Sequence, residues 1–196
     1  IIHESVKDGI LNRETYVSAW VQGKEIRVYC KYSVQDGLKK APGLLNVHGW
    51  MGAPGIDKSY VDEGWAVMAF DYCGESGKRV HFTKYPKVFD HGNMDKKFGG
   101  SVRAKTRAGQ SITDPKQTSD YLWYAVQRRV LSYLLKQKEV DGSRIGAKGY
   151  SYGGTIMWNL GMDPRVKAVV AYFGIGWNEY YRSKQVWMYN QPYVEP

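Results

Sequence analysis

From its amino terminus the chain alternates apolar and polar positions with the period of a strand. Glu14 to Val21 (ETYVSAWV) and Glu25 to Ser33 (EIRVYCKYS) are rich in aromatic and β-branched residues and flank Gln22-Gly23-Lys24, so they predict an antiparallel hairpin. The pattern then changes. Pro42 to Val47 (PGLLNV) is a short continuous apolar run, as expected of a strand buried on both faces, and it ends in His48-Gly49-Trp50-Met51-Gly52. Ile56 to Glu63 predicts two helical turns stopped by Gly64, and Trp65 to Phe70 (WAVMAF) a further buried strand ending before Asp71. From Tyr72 to Ile112 regular periodicity is lost. Thr113-Asp114-Pro115 then resembles a helix start with proline in the first turn. After it, Tyr121, Leu122, Ala125, Val126, Val130, Leu131, Leu134 and Leu135 recur at three and four, predicting a long amphipathic helix. Ser143 to Lys148 reads as a strand, Thr155 to Leu160 as an apolar helix, Asp163-Pro164 as a turn and Val166 to Phe173 (VKAVVAYF) as one more buried strand. Residues 174–196 are aromatic and polar without a clear period, and no internal repeat is visible.

Composition narrows the class. A chain of 196 residues suits one domain with a sizeable core, and 43% hydrophobic residues exclude general disorder. No apolar run approaches the ~18 residues of a membrane span, so no membrane partner is expected. Cys30 and Cys73 form neither a CxxC pair nor a disulfide framework, which argues against redox chemistry and structural zinc and leaves the compartment undecided. The net charge of +9 is uneven: between Lys78 and Thr113 nine Lys or Arg stand against two acids.

The chemistry-bearing stretch is Lys148-Gly149-Tyr150-Ser151-Tyr152-Gly153-Gly154, between a predicted strand and a predicted helix. Gly-x-Ser-x-Gly in that setting reads as a nucleophile elbow, a strained corner where Gly149 and Gly153 remove the Cβ atoms that would otherwise collide. With Ser151 at the corner, its hydroxyl projects from the sheet edge. The Tyr152 amide and the first turn of the following helix aim positive dipole at any anion formed there. That arrangement suits acyl transfer.

The order of a hairpin, a strand ending in His-Gly, a strand ending in Asp, a long helix, Ser-Arg-Ile-Gly-Ala-Lys-Gly-Tyr-Ser-Tyr-Gly-Gly and another strand resembles the α/β-hydrolase fold from about Glu14 to Gly174. Arg128 to Leu134 followed by Val140-Asp141-Gly142-Ser143-Arg144-Ile145 is similar to the acetyl xylan esterase and dienelactone hydrolase neighbourhood, and also to the catalytic domain of the prolyl oligopeptidase family. The resemblance implies one domain over 1–196, with a basic excursion at 72–112. Its expected fold is a doubly wound, mainly parallel α/β sheet with an antiparallel hairpin at the amino-terminal end. It implies Ser151 as nucleophile, and the amides of Tyr152 and Trp50 as oxyanion-hole donors. The implied activity is hydrolysis of small acyl esters, acetyl groups on a carbohydrate foremost, without cofactor or metal. A secreted or periplasmic location would suit a polysaccharide substrate. A serine peptidase of the prolyl oligopeptidase type and a non-catalytic carbohydrate-binding protein are the alternatives.

The chain departs from that pattern in one respect. Family members place acid and then histidine after the serine, yet His3, His48, His81 and His91 all precede Ser151, and Asp163, Glu179 and Glu195 follow no recognisable further strand. Three explanations stand: the polypeptide continues past Pro196 through strands carrying both residues, an upstream histidine, His48 first, acts as base, or catalysis has been lost. The first is expected, with these 196 residues alone inactive and poorly soluble and Val166 to Phe173 left as an apolar edge.

The basic excursion interleaves Phe82, Tyr85, Phe89 and Phe98. It is expected to be a solvated loop, with acidic glycan binding as the second reading and nucleic acid as the least economical. Gly74-Glu75-Ser76-Gly77 lacks phosphate-loop spacing, and no HExxH or EF-hand pattern occurs. The tail aromatics Trp177, Tyr180, Tyr181, Trp187, Tyr189 and Tyr193 fit either a sugar-stacking wall or a surface buried in an interface.

Overall fold

A computed structural model describes residues 1–50, 52–75, 79–93, 114, 116 and 118–174. It opens with two hairpins. β1 (His3–Lys7) joins β2 (Ile10–Val21) through Asp8 and Gly9, with φ of 51° and 72°, and β2 joins β3 (Lys24–Gln35) through Gln22 and Gly23, at 49° and 71°. Two successive left-handed residues make the primed turn whose twist matches paired strands. The β2–β3 hairpin agrees with the sequence expectation. β1 is an addition to it, although Asp8-Gly9 carries a strong hairpin signal of its own.

The sheet continues through β4 (Ala41–Val47), β5 (Ala66–Phe70), β6 (Val140–Tyr150) and β7 (Ala168–Tyr172), in the spatial order β1-β2-β3-β5-β4-β6-β7. The three pairings from β1 to β5 are antiparallel, and those of β5 with β4, β4 with β6 and β6 with β7 are parallel. The sheet is therefore mixed, and its parallel half bears Ser151.

Helices cover both faces. Leu45, Val47, Met68 and Phe70 pack in the main core with Leu122, Val126 and Val130 of α2 (Ser119–Leu134) and Ile156 and Met157 of α3 (Tyr152–Gly161). The intervening Leu44 and Val67 pack instead with Val61 of α1 (Lys58–Asp62). Period-two alternation across continuous apolar strands is what burial on both faces requires.

Two helix boundaries differ from expectation. α2 begins not near Thr113-Asp114-Pro115 but after Thr118, whose hydroxyl accepts from the Tyr121 amide at 3.3 Å; Thr113 and Pro115 lie outside the described residues. The N-cap side chain, satisfying an otherwise orphaned amide, decides the start. α3 starts at Tyr152 rather than near Thr155, so the turn from strand to helix is a single residue.

The described part of the basic excursion is packed at some positions and solvated at others: Thr83 and Phe89 are buried, whereas Lys84, Lys87 and Val88 are exposed. Buried Thr83 donates its hydroxyl to the Asp71 carbonyl at 2.5 Å and accepts the Tyr29 amide at 3.0 Å. Lys84 exchanges backbone hydrogen bonds with Arg27, and a 3₁₀ turn at Lys87–Gly92 buries Phe89. The Trp123 indole of α2 donates to the Gly92 carbonyl at 2.9 Å. Backbone groups beside a sheet must find partners, and these residues supply them. Residues 94–113 and the tail aromatics from Trp177 onward lie outside the described residues. Among the described residues β7 pairs with β6 alone, and all five of its residues are exposed.

Candidate active site

Ser151 stands at the carboxyl end of β6, exposed, with φ 54° and ψ −119°. That conformation is costly for a residue with a Cβ, by roughly 1–3 kcal/mol, and persists only where its surroundings enforce it. The glycines explain how. A Cβ on Gly149 would stand 2.1 Å from the Gly153 carbonyl oxygen, and one on Gly153 would stand 2.4 Å from that of His48 and 2.5 Å from that of Val47. Strand, helix and the end of β4 meet with no room for side chains. The Ser151 amide donates to the Tyr172 carbonyl at 2.8 Å, which ties the corner to β7.

The loop after β4 passes directly over this corner. A Cβ on Gly49 would stand 3.3 Å from Ser151 Cβ and 3.9 Å from its Oγ. Trp50, which follows, meets the Tyr152 ring edge-on at 5.4 Å between centroids. Ser151, Tyr152 and Trp50, the residues that the resemblance implies, thus sit on adjoining elements, with Met51 outside the described residues.

Beneath the corner lies an aromatic layer. Tyr152 stacks with Tyr72 (6.3 Å) and meets Trp123 edge-on (5.4 Å), while Tyr72 stacks on the His48 ring (4.7 Å). The Tyr152 hydroxyl donates to Asp120 of α2 at 2.8 Å, a partnership that 32 residues of separation hide from sequence reading. Burial holds the Tyr72 hydroxyl well above the ordinary tyrosine range, so it stays neutral.

Among the described side chains, the upstream histidines His3, His48 and His81 face other partners than Ser151. His48 Nδ1–H donates to the Gly49 carbonyl at 2.7 Å, and Nε2 faces Asp71 Oδ1 at 3.5 Å. His81 lies against the rings of Tyr16 and Tyr29 on β2 and β3, and His3 is on β1. Asp163, weighed above as a triad acid, is held by Arg165 through two hydrogen bonds of 2.8 and 2.6 Å, which keep its carboxyl down at about 2. A second constellation emerges instead: His48, Asp71 and Cys73 each place one donor atom within 4.8 Å of the others. Only the parallel pairing of β4 with β5, which sets Val47 beside Phe70, brings these residues together.

A family model for the dienelactone hydrolase family matches residues 26–187. The chain belongs to that family. Among solved structures, an acetyl xylan esterase from a Thermoanaerobacterium species superposes with a TM-score of 0.68 at 21% identity, over 94% of this chain and 55% of that one. Another acetyl xylan esterase, from a Paenibacillus species, gives 0.66 at 22% identity over 95% and 58%. A cold-adapted esterase from an Arctic intertidal metagenomic library gives 0.56 at 17% over 87% and 64%. At such identities the likeness is one of fold, and the chain spans just over half the length of the first two. No curated protein matches it.

Proposed function

We propose that this family member is a serine hydrolase of small acyl esters, with acetyl groups on a carbohydrate as the substrate class and residues 1–196 belonging to one hydrolase domain. The observation that carries the proposal is the placement of an exposed Ser151 hydroxyl on a positive-φ corner, at the amino end of α3, under the His48-Gly49 loop. Similarity to two acetyl xylan esterases supports the choice of substrate class.

In this reading Ser151 Oγ attacks the ester carbonyl carbon while its proton passes to a general base. The carbonyl oxygen gains the negative charge, and the amides of Tyr152 and Trp50 receive it, aided by the α3 dipole. Collapse expels the alcohol, which takes the proton back from the base and leaves an acyl-serine. Water, deprotonated by the same base, then releases the acid and restores the serine. The base comes from outside the described side chains, since His48 turns Nε2 toward Asp71 and His81 lies against the rings of Tyr16 and Tyr29. Deleting one oxyanion donor typically costs ~10²–10³ in turnover.

The test is fluorophosphonate labelling of the natural protein, together with turnover of acetylated sugars and of dipeptide amides. Labelling at Ser151 with release of acetate is expected. Labelling with amide cleavage alone would replace the esterase by a peptidase, and no labelling would leave a binding protein on a hydrolase fold.

A further inference from the structure

Behind the loop that covers Ser151, His48 Nε2 and the Tyr72 hydroxyl are buried polar atoms without a hydrogen-bond partner. The His48 side chain is only 8% exposed. The other ring nitrogen has its proton fixed by the carbonyl it meets. With Nδ1–H committed to the Gly49 carbonyl at 2.7 Å, Nε2 of a neutral ring presents a bare lone pair, and 3.5 Å away stands an oxygen of a fully buried carboxylate, Asp71. Two lone pairs that face each other in a dry interior repel unless a proton or a metal cation lies between them. A backbone carbonyl on one imidazole nitrogen and a free lone pair on the other is also the arrangement by which proteins orient a metal-binding histidine.

The spacing fits a metal. A tetrahedral zinc with nitrogen and oxygen ligands at ~2.0–2.1 Å sets those atoms about 3.4 Å apart, against the 3.5 Å between His48 Nε2 and Asp71 Oδ1. Cys73 Sγ lies within 4.8 Å of both and is likewise fully buried, which supplies a soft third donor. Nitrogen, oxygen and sulfur together favour a borderline-soft dication over magnesium or calcium. Asp71 is held ready: its Oδ2 accepts the Thr83 amide at 2.6 Å and its Oδ1 the Cys73 amide at 3.1 Å. One group competes, since Arg79 Nη2 approaches the same Oδ1 at 3.4 Å.

We propose that His48, Asp71 and Cys73 form a binding site for zinc or a chemically similar dication, which takes the place of the Arg79 guanidinium beside Asp71 and ties the end of β4 to the end of β5. Binding converts the Cys73 thiol to a metal thiolate and releases one proton to solvent. The site is separate from the Ser151 chemistry, and its test does not depend on turnover.

Cobalt(II) added to the purified protein is the probe, because a cobalt thiolate absorbs in the near ultraviolet and adventitious surface sites do not. One equivalent should produce the band, and zinc should abolish it by displacement. Cys73→Ser should remove the band while Cys30→Ser keeps it, and His48→Gln should weaken binding by roughly 10–100-fold or more. Arg79→Gln should tighten binding on the order of tenfold or more, because a neighbouring positive charge is gone. A merely structural role for the three residues predicts no gain in that variant. No band in the wild-type protein, a band that survives Cys73→Ser, or unchanged affinity in Arg79→Gln would each overturn the proposal. The Arg79 and Cys30 variants decide it even if Cys73→Ser fails to fold.

Discussion

Ser151 and Gly153 show how little freedom single residues have at the corner between β6 and α3. Ser151 holds φ 54°, a conformation in which its own Cβ is a burden. Ser151→Gly should therefore stabilise the protein by about 1 kcal/mol, whereas Ser151→Ala should not, and both should abolish fluorophosphonate labelling. Urea unfolding midpoints and the labelled fraction measure the two effects side by side. Gly153 is the opposite case. Its missing Cβ leaves space for the carbonyls of Val47 and His48 at 2.5 and 2.4 Å, and backbone does not yield as a flexible side chain does. Gly153→Ala should cost about 3 kcal/mol or prevent folding, and Gly55→Ala, where nothing lies within 4 Å, should stay within about 0.5 kcal/mol in the same assay.

Between elements, the joint of α2, α3 and the turn before β7 is electrostatic. Buried Asp163 binds Arg165 and lies 3.2 Å from Arg128 Nε of α2, while Arg165 Nη1 also donates to Ser132 at 2.8 Å. The Arg165 hydrogen bonds keep the Asp163 carboxyl at about 2, below the ~3.9 of an unfolded chain. The folded state thus holds its proton less tightly than the unfolded state. Stability from this group is complete above about pH 4 and is lost as pH falls through about 2. Asp163→Asn should be less stable than the wild type at pH 7, and the gap should close between about pH 4 and pH 2, as followed by thermal unfolding across that range.

For the molecule as a whole, the sheet is protected at its centre and, among the described residues, open at its ends. β5 is wholly buried, flanked by β3 and β4 and covered by helices on both faces, whereas β1 is a five-residue strand at the sheet edge with four exposed residues. Amides of Ala66–Phe70 should exchange hydrogen near the global unfolding limit, and those of β1 far faster, because opening a terminal strand exposes little apolar surface. Equal rates across the sheet in a residue-resolved exchange experiment would contradict that description.

Local pattern by itself determined the parallel strands, the β2–β3 hairpin, the apolar face of α2 and the corner at Ser151, since each rests on periodicity or on glycines a few residues apart. Asp8-Gly9 was equally legible and marks β1. The true start of α2 depended on which hydroxyl reached a free amide, and Thr118 rather than the proline turn did so. Tertiary structure alone decided the rest. The solvated character expected of the basic excursion gives way where Thr83, Tyr85 and Phe89 find buried partners on β3, on the segment just after β5 and on α2, because charge along a segment does not reveal what its backbone will bond. The Tyr152–Asp120 bond and the meeting of His48, Asp71 and Cys73 likewise join residues far apart in sequence. They are set by helix packing and by strand order and register, which the pairing of whole elements fixes and no local run of residues encodes.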